Sequence, residues 1–128
     1  MRYLSILAIA AIAFLAPGAK AQEREERGGD MHERARMAVE RTDDDLQRFV
    51  HRDNLNERHR ERFEAAMKDL HEFRDAMAKG HWDDGRQRLD RAIENIQFVA
   101  DNARIGDHER ETLREDLRSL RDIREGWR

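Results

Sequence analysis

From residue 30 onward the apolar residues recur at intervals of three and four, in four stretches separated by short polar breaks, and each stretch has the phase of one helical face. The first, about 31–52, follows a cap at Asp30 and carries Met31, Ala35, Val39, Thr42, Leu46, Phe49 and Val50. The second, about 55–79, follows Asn54, whose spacing to Glu57 is that of a capping box, and stops at Gly80. Its stripe is Phe63, Ala66, Met67, Leu70, Phe73 and Met77. The third, about 82–103, turns Leu89, Ala92, Ile93, Ile96, Val99 and Ala100 inward, with Gly106 after its end. The fourth, about 108–126, is capped by Asp107 and carries Leu113, Leu117, Leu120 and Ile123, with Trp127 just beyond. No stretch alternates with period two, so no sheet is expected.

Four amphipathic helices of matched length cannot bury their stripes alone. Joined by turns of a few residues, they predict an all-α fold, an antiparallel up-down-up-down four-helix bundle over residues 30–128. Facing residues of an antiparallel hairpin have numbers with a nearly constant sum, and the stripes obey this: Phe73 meets Leu89, Leu70 meets Ala92 and Phe63 meets Val99, while Ala35 meets Phe73 and Leu46 meets Phe63. The same rule sets a row of Asp83, Asp90 and Asp101 on the third helix against Arg128, Arg121 and Arg110 on the fourth. That row predicts an inter-helix ion-pair seam, which selects register more than it stabilises.

The chain before the bundle has a different character. Met1-Arg2-Tyr3 precedes an apolar run of about 13 residues, Leu4 to Ala16, then Pro17-Gly18 and the small-x-small sequence Ala19-Lys20-Ala21. This is the layout of a cleaved signal peptide, 1–21, too short for the roughly 20 residues of a membrane-spanning helix. A periplasmic or secreted location without a stable membrane anchor is expected, with 22–29, charged and ending in Gly-Gly, as a disordered leader. Residues 1–21 hold two basic and no acidic side chains, so the remaining 28 acidic and 23 basic groups leave a net charge of −5. That balance argues against nucleic-acid binding. The remaining 107 residues hold 33 hydrophobic ones, enough for one small domain, and the absence of cysteine leaves its stability to packing.

Six histidines, at 32, 51, 59, 71, 81 and 108, are the candidate metal ligands. None has Glu or Asp three residues before it and none belongs to a His-x-x-x-His pair, so the usual helical metal motifs are missing. His71 with Asp75 and His81 with Asp84 keep ligand-compatible spacing. His59, one turn before Phe63 on the apolar stripe, is expected at the bundle end with Phe49 and Ala103, near Asp53, Asn102 and Asp107. There it either closes the core through a hydrogen bond or ligates a metal or haem, although no Met or His is placed as a second axial ligand. Nucleophilic chemistry has little to work with: beyond Thr42 and Thr112 there is Ser119, expected on an outer face. The run Asp43-Asp44-Asp45 reads as solvated helix surface. No cofactor and no enzyme activity are expected.

Met37 and Phe98 break the pattern, each lying roughly opposite the stripe of its helix, and they are the candidate surface for a protein partner or self-association. The stretch from Arg41 to Arg124 resembles an uncharacterised family of small exported bacterial helical proteins in Asp44-Asp45-Leu46, Ala66 with Leu70 and Phe73, Lys79-Gly80-His81-Trp82-Asp83, Leu89-Asp90 with Ala92-Ile93, and Asp116-Leu117 with Leu120-Arg121. The resemblance implies an exported helical domain and no known activity; the Leu-Thr-x-x-Gln signature of periplasmic helical stress chaperones is absent. Two functions are left by this reading: an exported, non-enzymatic interaction or chaperone-like protein of the envelope, and a periplasmic metal-binding protein using His and carboxylates.

Overall fold

The computed structural model describes residues 30–52 and 55–126. The expected signal peptide and leader lie outside these residues, as do Asp53, Asn54, Trp127 and Arg128. The chain divides into two units, Met1–Glu33 and Arg34–Arg128. Of the first, residues 30–33 are described, and they are helical. The second is built from four helices: α1 (30–50, with its first four residues in the other unit), α2 (Glu57–Ala78), α3 (Trp82–Asn102) and α4 (Asp107–Gly126).

Sequential helices run antiparallel. Arg62 of α2 donates to Asn95 of α3, Arg124 of α4 meets Asp90 of α3, and His71 of α2 lies against Asp43 of α1. Arg41 of α1 and Arg52, just past its end, reach Asp116 and Glu109 of α4, which closes the ring. The arrangement is that of an up-down four-helix bundle. Its core is Ala35, Val39, Leu46, Phe63, Ala66, Leu70, Phe73, Leu89, Ala92, Ile96, Val99, Leu113, Leu117 and Leu120, all 1% exposed or less. Burying each large side chain of this set contributes about 1.5–3 kcal/mol.

The ends of the helices follow local chemistry. Asn56, rather than Asn54, caps α2, accepting a 2.8 Å hydrogen bond from His59 N–H at its Oδ1. Leu55 is buried just before it, so the connection folds inward before the helix begins. At the other end of α2, Gly80 takes φ 74°, a value that favours glycine; its N–H bonds Met77 O and the His81 N–H bonds Ala76 O, the double closure of a Schellman turn.

The two connections at the opposite end are closed alike, and in a way the hydrophobic pattern does not announce. Arg60, the fourth residue of α2, donates to Val50, Arg52 and Leu55 carbonyls; Arg110, the fourth residue of α4, donates to the Ala100 and Ala103 carbonyls. In each case a guanidinium satisfies the carbonyl end of the preceding helix, where a cation is favoured. The two arginines are 50 residues apart, as are the starts of α2 and α4. At that offset Arg41 matches Arg91, Leu46 Ile96, Gln47 Gln97, Leu55 Ile105, Arg60-Glu61 Arg110-Glu111, Met67 Leu117, Leu70 Leu120 and Arg74 Arg124. The two helical hairpins resemble one another at this offset, with the α1–α4 seam corresponding to the α2–α3 seam.

Gly85 stands where the first hairpin has Ala35. It lies inside α3, and a Cβ built on it meets Ala76 Cβ at 3.4 Å and Phe73 Cδ1 at 3.5 Å, ordinary van der Waals contact. Gly85→Ala is expected to raise stability by about 0.5–1 kcal/mol, the helix-interior cost of glycine. A urea-unfolding midpoint lowered by the substitution would show that the contact with Phe73 is overpacked instead.

The expected ion-pair seam between α3 and α4 is corrected. Asp90 pairs with Arg124 at 3.2 Å, three residues on from Arg121; Arg121 donates to Gln97, Asp101 accepts from Gln97, and Arg110 serves the α3 carbonyls. The proposed match of rows depended on register, and helical stripes that recur every three or four residues satisfy several registers equally.

Candidate functional site

The expected metal ligands are not brought together. His71 Nε2 lies 3.2 Å from Asp43 Oδ1 on the neighbouring helix rather than serving a pair with Asp75. His81 sits at the start of α3 with no side-chain capping bond, and it and Asp84 are exposed. His59 is buried, its ring 5.9 Å from that of Phe98 and tilted to it. Among the described residues no group of three or more His, Cys, Asp or Glu side chains could hold a metal ion.

Of the two apolar outliers, Met37 stands 60% exposed. Phe98 does not stand clear: it is half-buried against the core, with the Arg58 and Arg62 guanidinium groups 5.3 Å and 4.6 Å from its ring centroid. Arginines on the flank of α2 cover it, as cations do over an aromatic face. Trp82 is a further exposed aromatic, at 47%.

The unusual chemistry lies where α1 meets α4. Asp45 is 5% exposed and Asp116 1%, against the expectation that the Asp43-Asp44-Asp45 run is solvated. Helical phase explains the difference: Asp45 follows Thr42 by three residues and precedes Phe49 by four, so it shares their inward side, whereas Asp44 faces water. Arg41 Nε reaches Asp116 Oδ1 at 3.2 Å, and its terminal nitrogen donates to Ser119 Oγ. Ser119 is therefore half-buried and occupied, not on the outer face. Arg48 donates to Asp45.

Two polar atoms of this seam, Asp116 Oδ2 and Thr42 Oγ1, are buried without a hydrogen-bond partner. Such atoms are costly, and Asp116 has one relief open to it: a proton on one carboxyl lets the Asp45–Asp116 pair hydrogen-bond. Burial pushes the Asp116 carboxyl up to about 8, the bond to Asp45 and its charge adding to the rise while Arg41 opposes it. Asp69, on the equivalent seam, is also raised, by burial and then Glu72, against the pull of Arg88 and Arg91.

The internal repeat supplies a control for this site. Ala66 stands at the position matching Asp116, Asn95 at that matching Asp45, and Ala92 at that matching Thr42. Ala66 and Ala92 are fully buried, and Asn95 accepts an ordinary 2.9 Å hydrogen bond from Arg62. The hairpin packing is thus satisfied by alanine where the α1–α4 seam holds an acid, so the carboxyl pair is not a demand of the fold.

Outside the pair, α1 presents an open surface groove lined by Met37, Glu40, Arg41, Asp44, Asp45 and Arg48. Arg41 and Arg48 are engaged by the buried carboxyls and Glu40 by Arg36, which leaves the exposed Met37 and Asp44 as its outward-facing chemistry. No helix among the described residues is long and apolar enough to cross a membrane. No protein-family model, curated protein or solved structure matches the chain.

Proposed function

We propose that this chain is an exported, non-enzymatic helical-bundle protein that binds a protein segment on the outer face of α1. The observation that carries the reading is Met37, a large apolar side chain 60% exposed at a groove whose polar lining, Asp44 apart, is already paired within the protein. Methionine adapts its shape to varied apolar partners. Asp44 beside it favours a segment in which the apolar residue is flanked by Lys or Arg. The N-terminal pattern of Met1 to Ala21 supports export. The non-enzymatic reading takes Asp116, buried beneath Arg41, as part of the helix packing.

A peptide array with apolar residues beside basic, neutral or acidic neighbours, probed with the purified protein, tests the surface. Retention of the basic-flanked peptides is expected, with Met37→Glu weakening it about tenfold or more, the loss of roughly 1.4 kcal/mol from one apolar anchor. Equal binding by Met37→Glu, or no preference for basic flanks, would overturn the proposal.

A further inference from the structure

We propose that Asp45 and Asp116 form a proton-operated latch between α1 and α4: while the pair holds a proton, α1 stays docked, and when the proton leaves, α1 loosens from α4. The latch is a property of the seam and does not depend on the reading of the Met37 surface.

The geometry carries the proposal. Asp45 and Asp116 are buried residues on different helices, within reach of a shared hydrogen bond, so two negative charges there are poorly solvated and repel. The charged groups that act on Asp116 are Asp45 and Arg41, both from α1. Arg41 divides its donors between Asp116 and Ser119 and is 56% exposed, so its attraction is screened by solvent. Arg48 meets the other end of the pair at Asp45 and is more exposed still. These arginines soften the repulsion without removing it, since burial and Asp45 outweigh Arg41 in holding the Asp116 proton to about pH 8. Release therefore falls in mildly alkaline solution.

What the latch would expose follows from the same helix. The inward side of α1 carries Ala35, Val39, Thr42 and Leu46, every one of them 1% exposed or less. Thr42 adds no hydrogen bond to hold the seam. At its far end the Arg52–Glu109 pair remains when Asp116 ionises, so loosening starts from the Ala35–Asp45 part of the helix. The matching α2–α3 seam has Ala66 and Asn95 in place of these acids, and its own raised carboxyl, Asp69, is met across the seam by Arg88, so it is expected to respond less.

Amide hydrogen exchange of the purified protein between pH 6 and 9, with times corrected for intrinsic base catalysis, reads the latch directly. Protection of the α1 amides from Ala35 to Arg48 is expected to fall about tenfold or more relative to those of α3, and Asp116→Asn to hold that ratio constant. Asp116→Ala, which installs the residue of the matching position, provides a second variant if the asparagine packs poorly. A constant ratio in the unmodified protein, or the same fall in both variants, would overturn the latch.

Discussion

Phe73→Ala is expected to cost about 3–5 kcal/mol of folding stability, enough to unfold a large share of the molecules of a small domain at growth temperature. Phe73 is fully buried, and its surroundings are shaped to it. Gly85 and Ala76 lie against one another beside its ring, so the neighbouring seam is built of small residues that have no side chain to swing into a vacated space. In the repeat the matching positions carry Ile123 and Ala35, a smaller side chain beside a larger one. A cavity that cannot collapse retains its full cost. Phe73→Leu, which removes less volume, is expected to lose about 1–2 kcal/mol. Urea unfolding followed by circular dichroism gives both values, and an alanine cost below 1 kcal/mol would mean that α2 and α3 repack freely around the site.

The helices are legible in the sequence because periodicity of 3.6 with short breaks admits few other folds. The observed spans, 30–50, Glu57–Ala78, Trp82–Asn102 and Asp107–Gly126, depart from the expected ones by no more than two residues at any end. The two-residue departure at the start of α2 has a local cause: Leu55 is drawn into the core, so Asn56 and not Asn54 is left to cap. Inter-helix register was less legible. Asp90 with Arg121 and Asp90 with Arg124 differ by about one turn of α4, and a stripe pattern scores both alike.

The seam chemistry was hidden for a different reason. A run of three aspartates in a chain with 41% charged residues reads as solvent-facing, yet the three take different environments: Asp43 half-buried beside His71, Asp44 in water, Asp45 inside. The phase of Thr42, Leu46 and Phe49 held the signal that separates them. Asp116, on the stripe side between Leu113 and Leu117, was visible by the same test. The 50-residue repeat was also present in the sequence, but its identities are mostly charged flank residues such as Arg60 and Arg110. Their shared task of closing a helix end is visible only once the carbonyls they reach are known.

The stability of the protein is expected to fall as pH rises from 5 to 8, and Asp116→Asn to remove most of that fall. The Asp116 carboxyl is raised from 3.8 to about 8 in the folded chain by burial and by Asp45. Below 3.8 both states are protonated and above about 8 both are ionised, so its contribution changes between these limits. Within the window the native state keeps a proton that the unfolded chain has released. Native molecules bind more protons, so raising pH favours the unfolded state, by up to about 1.4 kcal/mol per unit. From pH 5 to 8 the loss approaches about 4 kcal/mol, comparable with the whole stability of a marginal domain. Asparagine cannot ionise, so its curve should separate from that of the unmodified protein as pH rises and lie above it at pH 8. Asp69 is raised in the same direction by burial and Glu72, and a shallower slope from it should persist in the variant. Urea-unfolding free energies at pH 5, 6, 7 and 8 decide the matter: parallel curves would show that the proton on Asp116 does not govern the seam. A gap that widens with pH would show that the second hairpin carries, in place of the alanine its twin uses, an acid that costs stability and gives α1 its dependence on protons.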